Sequence, residues 1–307
     1  MTNMPITGAA PRFAPSRPPS KLFRNLSSKI ASIPMMFVSL VVFIGCSAWS
    51  FLYSFTDSRV LPTLHFVGLA QYYRLFHADK WSVSVHNMFI FGFFALIFVF
   101  TIGFLLAVFI DQKIRFEDGF RTIFLYPFAL SGIVTGLVWE WMLNPAFGLE
   151  KSMHDLGWTS FSFDWVANRE MVVYAIVIAS VWQGSGLVMA LMLAGLRGID
   201  DDIWKASRVD GIPKWRTYIF SVIPMMRPVF VTSIVLVAAG IVRTFDIVEA
   251  MTQGGPGYQS YFPAKYVYEF MFVSNLGHGL AAAATMMAVV AVFVTPWAYY
   301  EFGRKRT

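Results

Sequence analysis

The sequence predicts an all-α, polytopic membrane protein with six transmembrane helices. Of its 307 residues, 57% are hydrophobic and only 14% are charged, whereas a typical soluble domain has about 25% charged residues. Six apolar segments reach the length of about 20 residues that a helix needs to cross a bilayer. They cover residues 34–56, 87–110, 122–143, 171–196, 228–251 and 279–300.

Two prolines and the single cysteine refine these segments. Pro127 lies inside the third segment and Pro296 inside the sixth. Kinks are tolerated there because neighbouring helices can satisfy the freed carbonyl groups. Cys46 lies in the first segment and is the only cysteine, which excludes a disulfide within the chain and a cysteine-based zinc site.

The distribution of basic residues predicts the orientation. Residues 1–33 form a polar tail without the apolar core of a signal peptide, and residues 1–20 are predicted to be largely disordered. With this tail inside, the inner segments hold 17 basic and 8 acidic residues, and the outer loops hold 6 basic and 7 acidic. Because inner loops carry the excess of Lys and Arg, both termini are predicted to be cytoplasmic. The transmembrane domain then covers residues 34–302, and residues 303–307 form a basic C-terminal end.

A polar stretch between the fourth and fifth segments, residues 197–228, is predicted to form two short helices outside the bilayer. It carries ten ionic side chains in 32 residues. Residues 200–202, all Asp, supply N-cap and first-turn carboxylates. Gly211 can end the first helix in a left-handed conformation, and Pro213 can begin the second. We call residues 200–222 the docking loop, since helices held outside the bilayer suit contact with a partner protein.

Four ionisable residues lie within the predicted spans: Glu140, Arg243, Asp246 and Glu249. A charge at that depth costs about 2.5–3.5 kcal/mol and commonly marks a paired or functional site. Arg243 and Asp246 are three positions apart on one predicted helix, so they could form an ion pair or line a polar pathway. Glu140 and Glu249 lie near the outer ends of their spans, where exposure at the membrane interface is the simpler interpretation.

The fourth segment contains the motif WQGSG, residues 182–186, near its middle. Its small residues could serve close packing between helices. Alternatively, they could form a notch for a hydroxylated ligand, with Gln183 and Ser185 as hydrogen-bonding groups and Trp182 as a stacking surface. The third segment adds three polar candidates, Ser131, Thr135 and Asn144.

The sequence contains no motif for catalysis, metal binding or nucleotide binding. It has no P-loop, GxSxG or HExxH pattern. We therefore predict no catalytic residue, no metal site and no cofactor in this chain, so that any work it does takes its energy from elsewhere. The five histidines lie in or near predicted outer loops without the spacing of metal ligands: His65, His77, His86, His154 and His278.

The docking loop resembles the cytoplasmic EAA loop of bacterial ABC-importer permeases. That motif reads Glu-Ala-Ala, three residues, Gly, nine residues, Ile, one residue, Leu-Pro. Here the order is Lys205, Ala206, Ser207, then Gly211, then Ser221 in place of the late Ile, then Ile223 and Pro224. Residues 68–76, 129–150 and 245–257 are similar to segments of maltose-type sugar permeases, and the resemblance covers residues 34–302 in one collinear order.

This resemblance implies the fold of a type I ABC importer permease, a multi-pass protein of the bacterial inner (plasma) membrane that imports a sugar or sugar derivative. Permeases of this family pair with a second homologous permease subunit and with two ATP-binding cassette ATPase subunits. A periplasmic substrate-binding protein delivers the sugar. ATP and Mg²⁺ are bound by the ATPases, so the permease itself is non-catalytic. Membrane lipid is its remaining partner, and nucleic acid is not expected.

The resemblance also assigns residues to roles. Because Lys205 replaces the Glu of the motif, it implies a contact of reversed charge or an altered partner surface. ATPase coupling is expected from Lys205, Ala206, Ser207, Arg208, Asp210, Gly211 and Pro224. The substrate pathway is expected at Gln183, Gly184, Leu187, Gly240, Ile241, Arg243, Thr244 and Asp246.

Two other classes of membrane protein are alternatives. An ion-gradient-driven secondary transporter usually shows paired repeats with broken helices in both halves, and the sequence shows no internal repeat. A membrane-embedded transferase would need clustered acids or histidines at one interface. The substrate is left open among disaccharides, glycosides, monosaccharides and glycerol phosphodiesters. Arg243 either binds an anionic sugar or pairs with Asp246.

Overall fold

The computed structural model describes residues 30, 32–112 and 114–304. The chain divides into two units, Met1–Trp49 and Ser50–Thr307. The first candidate span is helix α1, Ser32–Tyr53, which contains a π-helical stretch at Leu40–Gly45. The predicted disordered segment, residues 1–20, lies outside the described residues, as do the last three residues of the predicted basic end.

The rest of the chain is built from helices joined by turns. Within the described ranges, the β-type pairing consists of an isolated bridge between Thr56 and Phe66. A π-helical stretch, Phe270–Ser274, links the last two helices. The helices are α2 (Ala70–Phe76), α3 (Asp79–Asp111), α4 (Glu117–Ala129), α5 (Gly132–Met142), α6 (Leu149–Asp155), α7 (Val172–Arg197), α8 (Asp201–Val209), α9 (Lys214–Met225), α10 (Arg227–Val242), α11 (Asp246–Met251), α12 (Pro263–Glu269) and α13 (Leu276–Arg304).

Among the described residues, three helices, α1, α3 and α7, are long and apolar enough to cross a membrane by themselves. Two further pairs reach this length only together, because each pair is bent: α4 with α5 by 97°, and α9 with α10 by 72°. Helix α13 contains a shorter apolar stretch, Leu276–Val292. The structure therefore confirms a helical chain with membrane-spanning helices, and the number of six spans stays a prediction.

The third predicted span, residues 122–143, is not a single kinked helix. Pro127 lies near the end of α4, and Leu130 after it is extended, with a ψ of 147°. Ser131 then caps α5, because its Oγ accepts a hydrogen bond from the Val134 amide at 3.3 Å. A proline removes a helical N–H and a capping serine begins a new helix, so the chain turns here.

The fifth predicted span, residues 228–251, is also broken. Helix α10 ends at Val242 and α11 begins at Asp246. The Arg243 amide still donates to the Gly240 carbonyl oxygen at 3.1 Å, which tightens the last turn of α10 into a 3₁₀-like end. Both helix breaks border the cleft described below.

The core of the second unit is centred on α3 and α7, which pack against each other. Phe91, Ala95 and Val99 of α3 are at most 3% exposed, and Ile176 and Met189 of α7 are fully buried. Helix α7 is apolar on nearly all sides, as expected for a helix surrounded by other helices. This buried pair positions the cleft residues.

The predicted outer loops are joined by ion pairs. Lys80 donates to both carboxylate oxygens of Glu269, at 2.9 and 3.1 Å, and the Tyr261 hydroxyl also donates to Glu269. Burial alone would raise the pKa of Glu269, but these hydrogen bonds hold it below its usual value. Glu249 forms an ion pair with Lys265 while its side chain stays 36% exposed, so it is paired as well as partly exposed.

Candidate functional site

A cleft of about 750 Å³ lies between α3, α7, α10 and the two helix breaks. Its volume falls in the range of about 300–1,000 Å³ that is typical of small-ligand sites. Two segments far apart in the sequence meet here, since one group of lining residues comes from α7 and another from the end of α10 and the break after it. The lining includes all eight residues predicted for a substrate pathway: Gln183, Gly184, Leu187, Gly240, Ile241, Arg243, Thr244 and Asp246.

Gln183 is fixed by a hydrogen bond to the break between α4 and α5. Its Nε2 donates to the carbonyl oxygen of Leu130 at 2.8 Å. Leu130 lies outside both helices, and a carbonyl at membrane depth needs such a partner. Gln183 therefore stabilises the break, while its Oε1 has no hydrogen bond from the described residues.

The residues of the WQGSG motif face different surfaces of α7. Gly184 lines the cleft with Gln183, whereas Gly186 packs against α4, where a Cβ would lie 2.3 Å from the Phe124 carbonyl oxygen. Trp182 lies instead in a separate apolar groove, with its ring centroid 6.0 Å from that of Trp139. Successive residues of a helix point about 100° apart, so the motif is divided between packing and lining. The proposed stacking role of Trp182 in the same notch is wrong.

Arg243 and Asp246 do not form the ion pair considered from the sequence. Arg243 follows the last residue of α10, and Asp246 is the first residue of α11, so the two are not neighbours on one helix face. Among the described residues, neither has an ion-pair partner within 4.0 Å. Both are exposed and both line the cleft, which favours the polar-pathway interpretation.

Two hydroxyl groups complete the polar lining. Thr244 Oγ1 donates to the Gly240 carbonyl oxygen at 3.2 Å, so its proton is used at the end of α10. Ser180, which sequence reasoning missed, also lines the cleft, and its Oγ is buried with no hydrogen-bond partner in the described part of the chain. Ser180 lies three positions before Gln183, and this spacing places both on one helix face. That spacing was a signal that could have identified it.

The polar candidates of the third segment lie away from the cleft. Ser131 caps α5, and Asn144 Oδ1 accepts a hydrogen bond from the Ala146 amide at 2.9 Å. Thr135 Oγ1 is buried without a partner among the residues that the structure describes. Glu140 and Asn144 border a separate depression of about 360 Å³ at the predicted outer end.

The docking loop has the predicted helix–glycine–helix form. Asp200 caps α8, because its Oδ1 accepts from the amide two residues later at 2.9 Å. Gly211 follows α8 with a φ of +67°, and the next amide, of Ile212, donates to the Ser207 carbonyl oxygen at 3.0 Å. This geometry closes the end of a helix. Helix α9 begins directly after Pro213 and continues past the predicted limit at residue 222.

Side-chain contacts attach the docking loop to the long helices. The Ser207 hydroxyl forms a hydrogen bond with Thr217 and so joins α8 to α9. Trp204 packs edge-on against Tyr218, with ring centroids 5.2 Å apart. The Tyr218 hydroxyl in turn accepts a hydrogen bond from Gln112 Nε2 at 3.2 Å, just beyond α3. The loop therefore lies in contact with the end of α3.

Arg197, the last residue of α7, connects three helices at this end of the bundle. Its guanidinium forms an ion pair with Glu117 at the start of α4. Its Nε lies 3.8 Å from Oδ1 of Asp111, the last residue of α3. These contacts place the base of the docking loop beside the ends of α3 and α4.

The outward face of the docking loop is exposed. Val209 is 86% exposed, Trp215 57% and Phe220 71%. Large exposed apolar side chains among charged ones indicate a surface for protein contact. Of the residues predicted for coupling, Ser207 and Pro224 are half-buried and the other five are exposed: Lys205, Ala206, Arg208, Asp210 and Gly211.

This chain is similar to known membrane components of transport systems over most of its length. Residues 100–307 match the family described as binding-protein-dependent transport system inner membrane component. A probable ABC transporter permease protein of Pyrococcus horikoshii is 35% identical over 260 residues, which cover 83% of this chain and 88% of that protein. A xylose/arabinose import permease protein of Haloferax volcanii is 30% identical over 279 residues, covering 88% of this chain and 86% of that protein.

A solved structure shares the fold. It is that of a bacterial alginate ABC transporter in complex with an alginate pentasaccharide-bound periplasmic protein. The TM-score is 0.75 at 18% sequence identity, and the alignment covers 91% of this chain and 94% of the other. The chain therefore shares the overall helical fold of this neighbour.

Proposed function

This chain belongs to the family of binding-protein-dependent transport system inner membrane components, as a carbohydrate ABC-importer permease, and from this premise we propose its particular function. It forms part of the translocation pathway of an ATP-driven importer for a sugar or sugar derivative, such as a disaccharide, an oligosaccharide or a glycoside. The name of the Haloferax volcanii relative, a xylose/arabinose import permease, supports a substrate of this kind.

The observation that supports this proposal best is that the same helices carry both the cleft and the docking loop. Helix α7 lines the cleft through Gln183 and ends at Arg197, just before the Asp200 cap of α8. Helix α10 lines the cleft through Gly240 and follows α9 without a loop between them. A displacement of the docking loop would therefore be transmitted to two walls of the cleft. A transporter driven by a partner ATPase needs such a connection.

The partners follow from this arrangement. The exposed face of the docking loop would contact an ATPase subunit, which binds ATP and Mg²⁺, while this chain takes no part in hydrolysis. A second homologous permease would complete the pathway, and a periplasmic binding protein would deliver the substrate at the outer end. The topology that fits these partners has six spans, with both termini on the cytoplasmic side of the bacterial inner membrane.

Purification of the assembled transporter tests the proposal. The tagged chain would be expressed together with the products of its neighbouring genes, and purified into lipid nanodiscs. We expect the ATPases to co-purify and their ATP hydrolysis to increase when sugar-loaded binding protein is added. A chain that purifies without an ATPase, and whose sugar uptake depends on an ion gradient, would refute the proposal in favour of a secondary transporter.

A further inference from the structure

The charged groups of the cleft point to the class of substrate, an inference that rests on the proposed function. The cleft is lined by 18 residues, of which Arg243 and Asp246 are the charged ones. Ser180, Gln183 and Thr244 add polar groups. The remaining lining is apolar or glycine, including the aromatic walls Phe128 and Phe245. Because these two charges do not pair with each other, each is available for a separate polar contact with a ligand.

The carboxylate of Asp246 lies against the N-terminus of another helix. Gly132 is the first residue of α5, and a Cβ at Gly132 would lie 2.8 Å from Asp246 Cβ and 3.4 Å from its Oδ2. Only glycine permits this approach. A helix N-terminus carries a partial positive charge that favours a nearby carboxylate. The carboxylate of Asp246 is therefore held beside the start of α5, where its oxygen atoms can accept hydrogen bonds from a ligand.

The guanidinium of Arg243 has no comparable partner. In the described chain it forms no ion pair within 4.0 Å, and no carboxylate other than that of Asp246 lines the cleft. The contact of Arg243 with its own helix is made by the backbone amide, which donates to Gly240. Its side chain is thus a set of five hydrogen-bond donors in a fixed plane at the edge of the cleft.

We propose that the cleft takes a carbohydrate that carries an anionic group, a carboxylate, phosphate or sulfonate, and that Arg243 binds this group. A planar guanidinium matches such anions through two parallel hydrogen bonds, which a lysine cannot reproduce. Asp246 accepts hydrogen bonds from sugar hydroxyls.

Direct binding to the assembled transporter tests this proposal without the selectivity of the binding protein. The probes are four glucosides that differ only at C6, with a hydroxymethyl, carboxylate, phosphate or sulfonate group, each as a monosaccharide and as the terminal unit of a disaccharide. We expect at least one anionic probe to bind about tenfold or more tightly than its hydroxymethyl counterpart, since hydrogen bonds to charged groups contribute that much. The binding affinities of the three anionic probes, compared with one another, identify which anionic group the cleft prefers.

Variants at Arg243 then assign the preference to this side chain. Arg243→Gln should abolish the preference for the anionic probe, and Arg243→Lys should restore part of it by charge alone. Arg169→Gln, at an exposed position in an outer loop, is the matched control and should leave the preference unchanged. Co-purification of the ATPases with each variant shows that the chain has folded and assembled.

The outcomes separate this inference from the proposed function. A complex that retains its ATPases but binds a neutral probe as tightly as its anionic counterpart, or binds no anionic probe, overturns the inference alone. The same holds if Arg243→Gln keeps the anion preference. A chain that never assembles with an ATPase overturns the proposed function, and with it the inference.

Discussion

Replacement of Gly211 should uncouple the docking loop while the membrane helices stay intact. Gly211 has a φ of +67°, and a Cβ built on it would have no heavy atom within 4 Å. A substitution here therefore acts through the backbone and not through a clash. The residue joins α8 to α9, and the other exposed residues predicted for ATPase coupling lie on α8 or directly after it.

The magnitude follows from the φ angle. An L-residue in the left-handed region costs about 1–2 kcal/mol, so Gly211→Ala should lower the population of the observed turn by a factor of about 5–30. Proline fixes φ near −65°, which is incompatible with the φ of +67° at this position. Gly211→Pro also removes the amide that donates to the Arg208 carbonyl oxygen at 3.3 Å. The observed turn cannot form in this variant.

The assay is co-purification of the ATPases with the tagged chain, followed by measurement of sugar-stimulated ATP hydrolysis. We expect Gly211→Ala to weaken coupling, Gly211→Pro to abolish it, and Gly211→Asn to retain most of it, because asparagine visits the left-handed region. Gly157→Ala is the matched control, since Gly157 also has a positive φ, of +96°, and open space at its Cβ, but lies in a predicted outer loop. Normal ATPase binding and uptake with Gly211→Pro would refute the docking role of this loop.

Three further predictions concern single residues. Lys205→Glu, which restores the residue of the EAA motif, should change the free energy of unfolding by no more than about 0.5 kcal/mol, since an exposed charge contributes little. If the partner surface is acidic, Lys205→Glu should weaken ATPase binding more than Lys205→Gln does. Equal affinities of the two variants would contradict an acidic partner surface. Gln183→Leu should lower the free energy of unfolding by about 1–3 kcal/mol, because it leaves the Leu130 carbonyl oxygen without its hydrogen-bond partner. A melting temperature equal to that of the wild type would show that this hydrogen bond, of 2.8 Å, is dispensable. The hydrogen bonds of Glu269 with Lys80 lower the pKa of Glu269. This pair should therefore stabilise the protein above the unfolded-state pKa of about 4.3 and lose that effect as the pH falls through the lower folded-state pKa. Glu269→Gln should reduce this loss of thermal stability at acid pH, and an unchanged pH profile would contradict the prediction.

Much of the docking loop could be predicted from local sequence, because its structure depends on neighbouring residues. The Asp200 cap, the left-handed Gly211 and the helix that follows Pro213 are all present as predicted. Each of these features is decided within a few residues by backbone chemistry, namely a carboxylate that accepts an amide, a residue without Cβ and a residue without N–H. The membrane-spanning character was likewise determined by composition and segment length.

The cleft was predictable only in part. The resemblance to sugar permeases indicated eight of the 18 lining residues, and the structure brings all eight together. It could not indicate that the third and fifth predicted spans are broken, because a long apolar segment reads the same whether it is one helix or two. The break after Leu130 depends on a hydrogen bond from Gln183, a residue 53 positions away in the sequence.

The state of the charges in the cleft was decided by the tertiary structure alone. On one continuous helix, Arg243 and Asp246 would be neighbours and an ion pair would be the natural expectation. The break after Val242 separates them, and the approach of Gly132 gives Asp246 a helix N-terminus as its neighbour. Sequence determined which residues carry charge, since that is a property of each side chain. Whether two charges neutralise each other depends on distance and on the surrounding helices, and only the packed chain fixes those.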